Sequence, residues 1–133
     1  MNVKKTYLVL FLFTISLSVH AQKITQTFKE AVSIVKETNK KILLVFAGSD
    51  WCAPCIKLEK NILHTSTFRN LANNSFVLYK ADFPMRKKNK LSKEKQDENG
   101  ALAEKYKQGG IFPLIVVLDG NLKELGRMSY KKI

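Results

Sequence analysis

Two cysteines, Cys52 and Cys55, stand three positions apart in a chain of 133 residues. An apolar run, Ile42 to Phe46, precedes them and predicts a strand that is covered on both faces. The run breaks at Gly48, after which a helix is expected to begin. Unpaired N–H groups and the positive end of the helix dipole would favour a thiolate at Cys52. Cys55 would lie one turn along the same face, within reach of a disulfide.

The same spacing also occurs in zinc sites and in purely structural disulfides. A structural zinc usually needs four Cys or His ligands. The chain has two Cys and two His, and His20 lies in a segment that is expected to be removed. A disulfide that closes so short a loop adds little stability. We therefore expect redox chemistry at the cysteine pair, with no metal and no other cofactor.

The run Trp51-Cys52-Ala53-Pro54-Cys55 resembles the Trp-Cys-x-x-Cys active site of the thioredoxin-like superfamily. Its lead-in is similar to that of small exported bacterial members, and the resemblance covers roughly residues 23 to 127. It implies thiol–disulfide exchange with Cys52 as nucleophile and Cys55 as resolving residue, leaving a redox-active disulfide between them. Trp51 would shape the substrate-binding surface, with Ala53 and Pro54 in supporting positions. Trp51 could instead be an ordinary packing aromatic.

A second candidate for substrate binding is Pro113, at the head of the β-forming run from Ile111 to Leu118. From the residues alone, a proline there marks the start of a strand or an edge strand. The resemblance implies a cis Phe112-Pro113 bond that faces the cysteines, with the neighbouring backbone receiving a substrate peptide.

The first 21 residues are expected to form a signal peptide. Lys4 and Lys5 give a positive head, an apolar run of about fourteen residues follows, and Val19-His20-Ala21 offers small residues for cleavage. An uncleaved anchor is the alternative, but a membrane span needs roughly twenty residues. We expect an exported protein that resides in the periplasm, with secretion as the alternative. Residues 22–133 are expected to form one domain.

The chain is strongly basic, with a formal charge of +12 that becomes +10 without Lys4 and Lys5. The most basic stretch runs from Arg86 to Lys95; it could steer acidic partners, or it could be a solvated loop. No aromatic residue interrupts it, so single-stranded nucleic-acid binding is not expected. The expected partners are proteins with disulfides or thiols and a membrane electron donor, with the chain acting as a monomer.

The patterning predicts a single α/β domain with a mixed sheet of about four strands flanked by helices. Asp119-Gly120 predicts a two-residue hairpin turn. The predicted helices cover Lys23 to Lys40, Ile56 to Leu63, Phe68 to Ala72, and Ser92 to Gly109 with a break near Gly100; the predicted strands are Ile42 to Phe46, Phe76 to Asp82, Ile111 to Leu118 and, at an edge, Leu122 to Met128.

Two features depart from the pattern of the superfamily. Many thioredoxins carry a buried acid that assists proton transfer, and the corresponding position here holds Phe46. A general base would then be water, Cys55, or another residue such as Asp50 or Lys57. Members also usually finish with a helix packed on the sheet, whereas this sequence stops at Ile133. Either that helix is missing from this version of the chain, or that part of the sheet is exposed, and exposed apolar area invites a partner or instability.

The direction of electron flow is open at this point, because potentials in the superfamily span about −270 to −120 mV. The resemblance to exported members favours a reductant or electron carrier. The alternatives are a disulfide oxidase or isomerase, and a non-enzymatic binding module with the thioredoxin fold.

Overall fold

A four-stranded mixed sheet forms the centre of the molecule in the computed structural model, which describes residues 24–106 and 109–130. Its order is β2-β1-β3-β4. Strand β1 (Lys41–Ala47) runs parallel to β2 (Phe76–Asp82) and antiparallel to β3 (Leu114–Leu118). Strand β4 (Glu124–Ser129) is antiparallel to β3 at the edge. This confirms the predicted mixed sheet with an interior strand before the cysteines.

Helices cover both faces of this sheet. Each begins where a side chain accepts an unpaired N–H group of the first turn, or where a proline, which has no N–H, occupies that turn. The hydroxyl oxygens of Thr27 and Thr65, for example, accept backbone N–H groups. The helices are α1 (Phe28–Thr38), α2 (Ala53–Leu58), which continues as a π-helical segment (Glu59–Leu63), α3 (Ser66–Ala72) and α4 (Lys93–Tyr106), with a short 3₁₀ turn at Lys87–Asn89.

Alternate residues of β1 face two different cores, as the period of a strand requires. Ile42, Leu44 and Phe46 pack with α1 and α4 on one face of the sheet. On the other face Leu43 and Val45 pack with residues of α2 and of the π-helical segment. The helix that carries Cys55 therefore lies on the opposite face from α1 and α4.

Two helix predictions need correction. Helix α1 begins at Phe28 and not at Lys23, because Thr27 is extended and caps the helix, while Ile24 pairs with Leu78 beside β2. Helix α4 passes through Gly100 without a break. Its buried Leu102 and Tyr106 anchor the second half in the core, so tertiary packing outweighs the weak helix propensity of glycine.

The predicted two-residue hairpin at Asp119-Gly120 is also wrong. Strand β3 ends at Leu118 and β4 begins at Glu124, so the connection is longer. The Asp119 carboxylate accepts the backbone N–H groups of Asn121 and Lys123, both at 2.9 Å, and thereby stabilises a wider turn.

An apolar groove of about 740 Å³ lies between the π-helical segment and the end of β4, with Leu58, Ile62, Phe68 and Met128 among its walls. The described residues contain no helix after β4. The predicted signal peptide, residues 1–21, lies outside the described residues. Within residues 24–106 and 109–130, no helix is long and apolar enough to cross a membrane.

Candidate active site

Cys52 is the N-cap of α2, the position from which a side chain meets the unpaired N–H groups of the first turn. Its Sγ accepts the backbone N–H of Cys55 at 3.3 Å. Its own N–H donates to the Gly48 carbonyl at 2.9 Å, which closes the loop between β1 and the helix. The same donor and the helix dipole would stabilise a thiolate at Cys52 after reduction.

Cys52 and Cys55 are joined by a disulfide, with an S–S distance of 2.22 Å and Cα atoms 5.3 Å apart. Only 5% of Cys52 and 3% of Cys55 are exposed. The pair packs against Ala47 and Phe112 in a small cluster of its own. Pro54 lies in the first turn of α2, where its missing N–H costs nothing, and both it and Ala53 are exposed beside the disulfide.

Trp51 is 44% exposed and is fixed from three sides. Its indole N–H donates to the Phe83 carbonyl at 2.8 Å. Its ring meets the Phe112 ring edge-on, with centroids 5.3 Å apart. The indole also lies against Gly48, where a Cβ atom would stand 2.2 Å from the ring. The tryptophan thus forms a fixed apolar surface next to Cys52.

The Phe112-Pro113 peptide bond is cis, as the resemblance implies. The Pro113 side chain is fully buried, so any contact with a substrate would come from its neighbours and their backbone. Phe112 packs on the cysteine cluster, and Ile111 is 62% exposed. The fold thus places the Pro113 segment against the cysteines through Phe112, which also contacts Trp51.

Ser49 and Asp82 connect the loop before Cys52 to the end of β2. The Asp82 carboxylate accepts both the backbone N–H of Ser49, at 2.9 Å, and its hydroxyl, at 2.5 Å. Asp82 stands at the carboxyl end of a strand in the parallel pair, which is the sheet edge where α/β proteins place their sites.

Asp50 is bound in a different direction, towards the segment that follows β2. Its carboxylate accepts the backbone N–H groups of Met85 and Arg86 and the side-chain amide of Asn89, at 2.9 to 3.0 Å. The Met85 N–H and the Asn89 amide are the main causes that lower the pKa of this carboxyl below its ordinary value of 3.8. Asp50 is therefore a weak base whose oxygens are already occupied.

The position that holds a buried acid in many thioredoxins is occupied by Phe46, which is fully buried in the core on the α1 and α4 face. Lys57, the other residue considered for proton transfer, lines the apolar groove. Among the described residues, no group of three or more His, Cys, Asp and Glu side chains is arranged to hold a metal ion.

The sequence reasoning missed the polar contacts that hold the loop. Ser49 and Asp50 were visible only as polar residues after a strand and Asp82 as the polar end of another, and Phe83 takes part through its backbone carbonyl. The useful signal was that Gly48-Ser49-Asp50 and Asp82 stand at the carboxyl ends of two predicted strands.

The chain matches a protein-family model described as thioredoxin-like over residues 23–120. It is 37% identical over 106 residues to the disulfide bond reductase DsbH of Chlamydia pneumoniae, with coverage of 80% of this chain and 62% of that protein. It is 28% identical over 102 residues to the thioredoxin-related protein DsbJ of the same organism, with coverage of 77% and 28%. The chain therefore spans less than two thirds of either curated relative.

Among solved structures, a DsbH oxidoreductase superimposes with a TM-score of 0.75 and 34% sequence identity. The match covers 86% of this chain and 78% of that one. The two chains thus share the same overall arrangement of strands and helices.

Proposed function

The chain belongs to the thioredoxin-like family, and from this we propose that it is a thiol–disulfide oxidoreductase that works through Cys52 and Cys55. The observation that carries the proposal is the disulfide at the start of α2, with the Cys52 Sγ accepting an N–H of the first helical turn. That position lowers the cost of a thiolate at Cys52, and the thiolate is the form that attacks disulfides.

In the reducing direction, the Cys52 thiolate attacks one sulfur of a substrate disulfide. The substrate S–S bond breaks, a mixed disulfide forms, and the leaving thiolate takes a proton from water. Cys55 then loses its proton to solvent and attacks the Cys52 sulfur, which releases the second substrate thiol and forms the Cys52–Cys55 disulfide. Two electrons pass from the protein to the substrate, and the reverse sequence donates a disulfide.

Trp51 and the segment around Pro113 are the proposed substrate-binding surface. The indole is held against Phe83 and Phe112, so its exposed face is presented without the entropy cost of ordering a free side chain. Ile111 adds an exposed apolar side chain on the neighbouring segment. Ala53 and Pro54 border the disulfide on the helix side.

We propose the direction of a reductant or electron carrier. The support is the similarity to a protein named as a disulfide bond reductase, with which this chain shares 37% identity. The redox equilibrium of Cys52 and Cys55 in glutathione buffers, read after acid trapping, tests the direction. A potential near about −270 mV supports a reductant, whereas one near −120 mV would mean an oxidant.

We further propose that residues 1–21 are a cleaved signal peptide and that residues 22–133 act in the periplasm, where a membrane donor supplies the electrons. The positive head and the short apolar run support this. Mass spectrometry of the protein recovered from the periplasmic fraction tests it. A chain that begins at Gln22 agrees with the proposal, and an intact Met1 terminus on a cytoplasmic protein contradicts it.

Trapping of mixed disulfides tests the central proposal. A Cys55→Ser variant should accumulate covalent adducts with substrate proteins, because Cys52 attacks but nothing resolves the product. The matched Cys52→Ser variant should form almost none, since Cys55 lies inside the helix and lacks the N-cap position that favours a thiolate at Cys52. The adducts should disappear when a thiol reductant is added, because they are disulfides. Adducts with neither variant would overturn the proposal and leave a non-enzymatic binding module.

A further inference from the structure

A pocket of about 410 Å³ lies beside the candidate active site, beyond the carboxyl end of β2. Residues 83–91, which we call the basic loop, supply most of its walls. Arg86, Lys87 and Lys90 contribute charged side chains, and Met85 and Leu91 contribute apolar ones. The pocket thus combines cationic and apolar groups beside the loop that precedes Cys52.

The basic loop carries four cations, Arg86, Lys87, Lys88 and Lys90, and no acidic residue. The carboxylate of Asp50 meets the loop but is occupied by its backbone N–H groups and by Asn89. Asp82 lines the pocket, and its carboxylate is hydrogen-bonded to Ser49. Asp50 and Asp82 each contribute one negative charge, so the four cations of the loop still outnumber the carboxylates beside it.

The basic loop is held directly to the residues that precede Cys52. Asp50 accepts three hydrogen bonds from residues 85–89, and Trp51 donates one to the Phe83 carbonyl. The loop therefore has a fixed position relative to the disulfide. Preorganised charge of this kind attracts a partner without the entropy cost of ordering the loop on binding.

Apolar side chains border both the loop and the disulfide. Met85 is 75% exposed, and Trp51 and Ile111 are also exposed. A chain laid over Trp51 towards the basic loop would pass from apolar contacts at the sulfur atoms to cationic contacts in the pocket. The surface therefore fits a cysteine with apolar neighbours that is followed or preceded by carboxylates.

We propose that the basic loop docks an acidic segment of the substrate protein, adjacent in sequence to its target cysteine. This rests on the proposed thiol–disulfide exchange and names the class of protein on which it acts. Glutamate and aspartate side chains would lie by Arg86, Lys87 and Lys90, while the substrate disulfide reaches Cys52. Electrostatic attraction raises chiefly the association rate.

The test compares synthetic peptides that share one internal disulfide and differ only in the flanking run, which is glutamate, glutamine or lysine. The reduced full-length protein is mixed with each, and the fluorescence of Trp51, the only tryptophan, follows the exchange. At about 20 mM salt the glutamate peptide should react about tenfold faster than the glutamine peptide, and at about 0.5 M salt less than twofold faster. The lysine peptide should be the slowest.

Two variants of equal charge change locate the effect. Lys87→Glu with Lys90→Glu should abolish the preference for the glutamate peptide. Lys36→Glu with Lys41→Glu should leave most of it, because these exposed lysines lie in the last turn of α1 and at the start of β1, whereas Cys52 follows the other end of β1. Both pairs replace surface residues, and circular dichroism verifies that each variant folds.

Each other outcome has a definite meaning. Equal rates for the glutamate and glutamine peptides overturn the docking proposal and leave the proposed exchange intact. A preference that survives in the Lys87/Lys90 variant places the attraction elsewhere and also overturns the docking proposal. The proposal is overturned as well if this variant loses binding to anionic vesicles while its rates with the peptides stay unchanged. Failure to reduce even uncharged bis(2-hydroxyethyl) disulfide overturns the proposed function itself.

Discussion

The Ser49 hydroxyl donates to the Asp82 carboxylate at 2.5 Å, across 33 residues of sequence. The Ser49 backbone N–H donates to the other oxygen of the same carboxylate. These two bonds connect the ends of the parallel strands β1 and β2, one residue after Gly48 and three residues before Cys52. The loop that carries the cysteine is thus held by β2 as well as by its own helix.

Replacement of Ser49 by alanine should lower the free energy of unfolding by about 1 to 2 kcal/mol, since it removes a hydrogen bond to a partly buried charged group. Urea unfolding followed by circular dichroism measures the change. Ser33→Ala is the matched control, because the Ser33 hydroxyl is exposed and lies 3.4 Å from Glu37; its effect should stay within about 0.5 kcal/mol. Equal losses in the two variants would contradict the importance of the Ser49 contact.

The contact between Asp50 and the basic loop should depend on pH. Folding lowers the pKa of Asp50, so its stabilising effect is present above the ordinary value of 3.8 and is lost as the pH falls through the lower folded value. The amide proton resonances of Met85 and Arg86 should therefore shift only below about pH 3.8, as two-dimensional NMR can record. In Asp50→Asn, these resonances should not titrate in that range, and a shift that persists would assign the effect to another carboxyl.

Alanine at Gly48 should displace the Trp51 indole, since the added methyl group would stand 2.2 Å from the ring. We expect a shift in tryptophan emission and slower disulfide exchange. Gly100→Ala is the matched control. A Cβ there meets nothing within 4 Å, and because Gly100 lies inside α4 the change should stabilise the fold by about 0.5 to 1 kcal/mol. An unchanged emission spectrum in Gly48→Ala would contradict the close contact.

Asn99 is a fully buried polar residue of α4 with both ends of its amide occupied. Its Oδ1 lies 2.7 Å from the Tyr79 hydroxyl, and its Nδ2 donates to the backbone carbonyl of Asp82 at 3.0 Å. Asn99→Ala should cost about 3 kcal/mol, because it leaves a cavity and an unpaired carbonyl. Thermal and urea unfolding test this against Asn70→Ala, an exposed site on α3 where about 0.5 kcal/mol or less is expected. A cost at Asn99 no larger than at Asn70 would show that the network is dispensable.

The strands and the cysteine pair could be predicted because their signals are local. The run from Ile42 to Phe46 is apolar on both faces, and β1 extends one residue beyond it at each end. The helix after Cys52 follows from the break at Gly48 and from Pro54, which is tolerated in a first helical turn. The cis bond at Pro113 came from the resemblance alone, since composition gives no reason to expect it.

The contacts that position the site could not be predicted, because each joins residues far apart in sequence. Asp50 bonds to residues 35 and more positions away, and Trp51 bonds to a backbone carbonyl, which any residue type could supply. The predicted start of α1 at Lys23 was wrong for a related reason. Ile24 continues the helical period, yet its backbone pairs beside β2, where sheet contacts outweigh helix propensity.

The disulfide packs with Ala47 and Phe112 in a small cluster, which touches the core on the α1 and α4 face through Phe112. Thermodynamic linkage equates the change that folding makes in the redox equilibrium with the difference in unfolding free energy between the oxidised and reduced forms, so a substitution that stabilises both forms equally leaves the redox equilibrium of the folded protein unchanged. With so few shared contacts, stabilising or destabilising either main core should move the melting temperature and leave the redox equilibrium nearly constant. We therefore expect the potential to respond chiefly to substitutions among the few residues that contact the cysteine pair, such as Ala47 and Phe112.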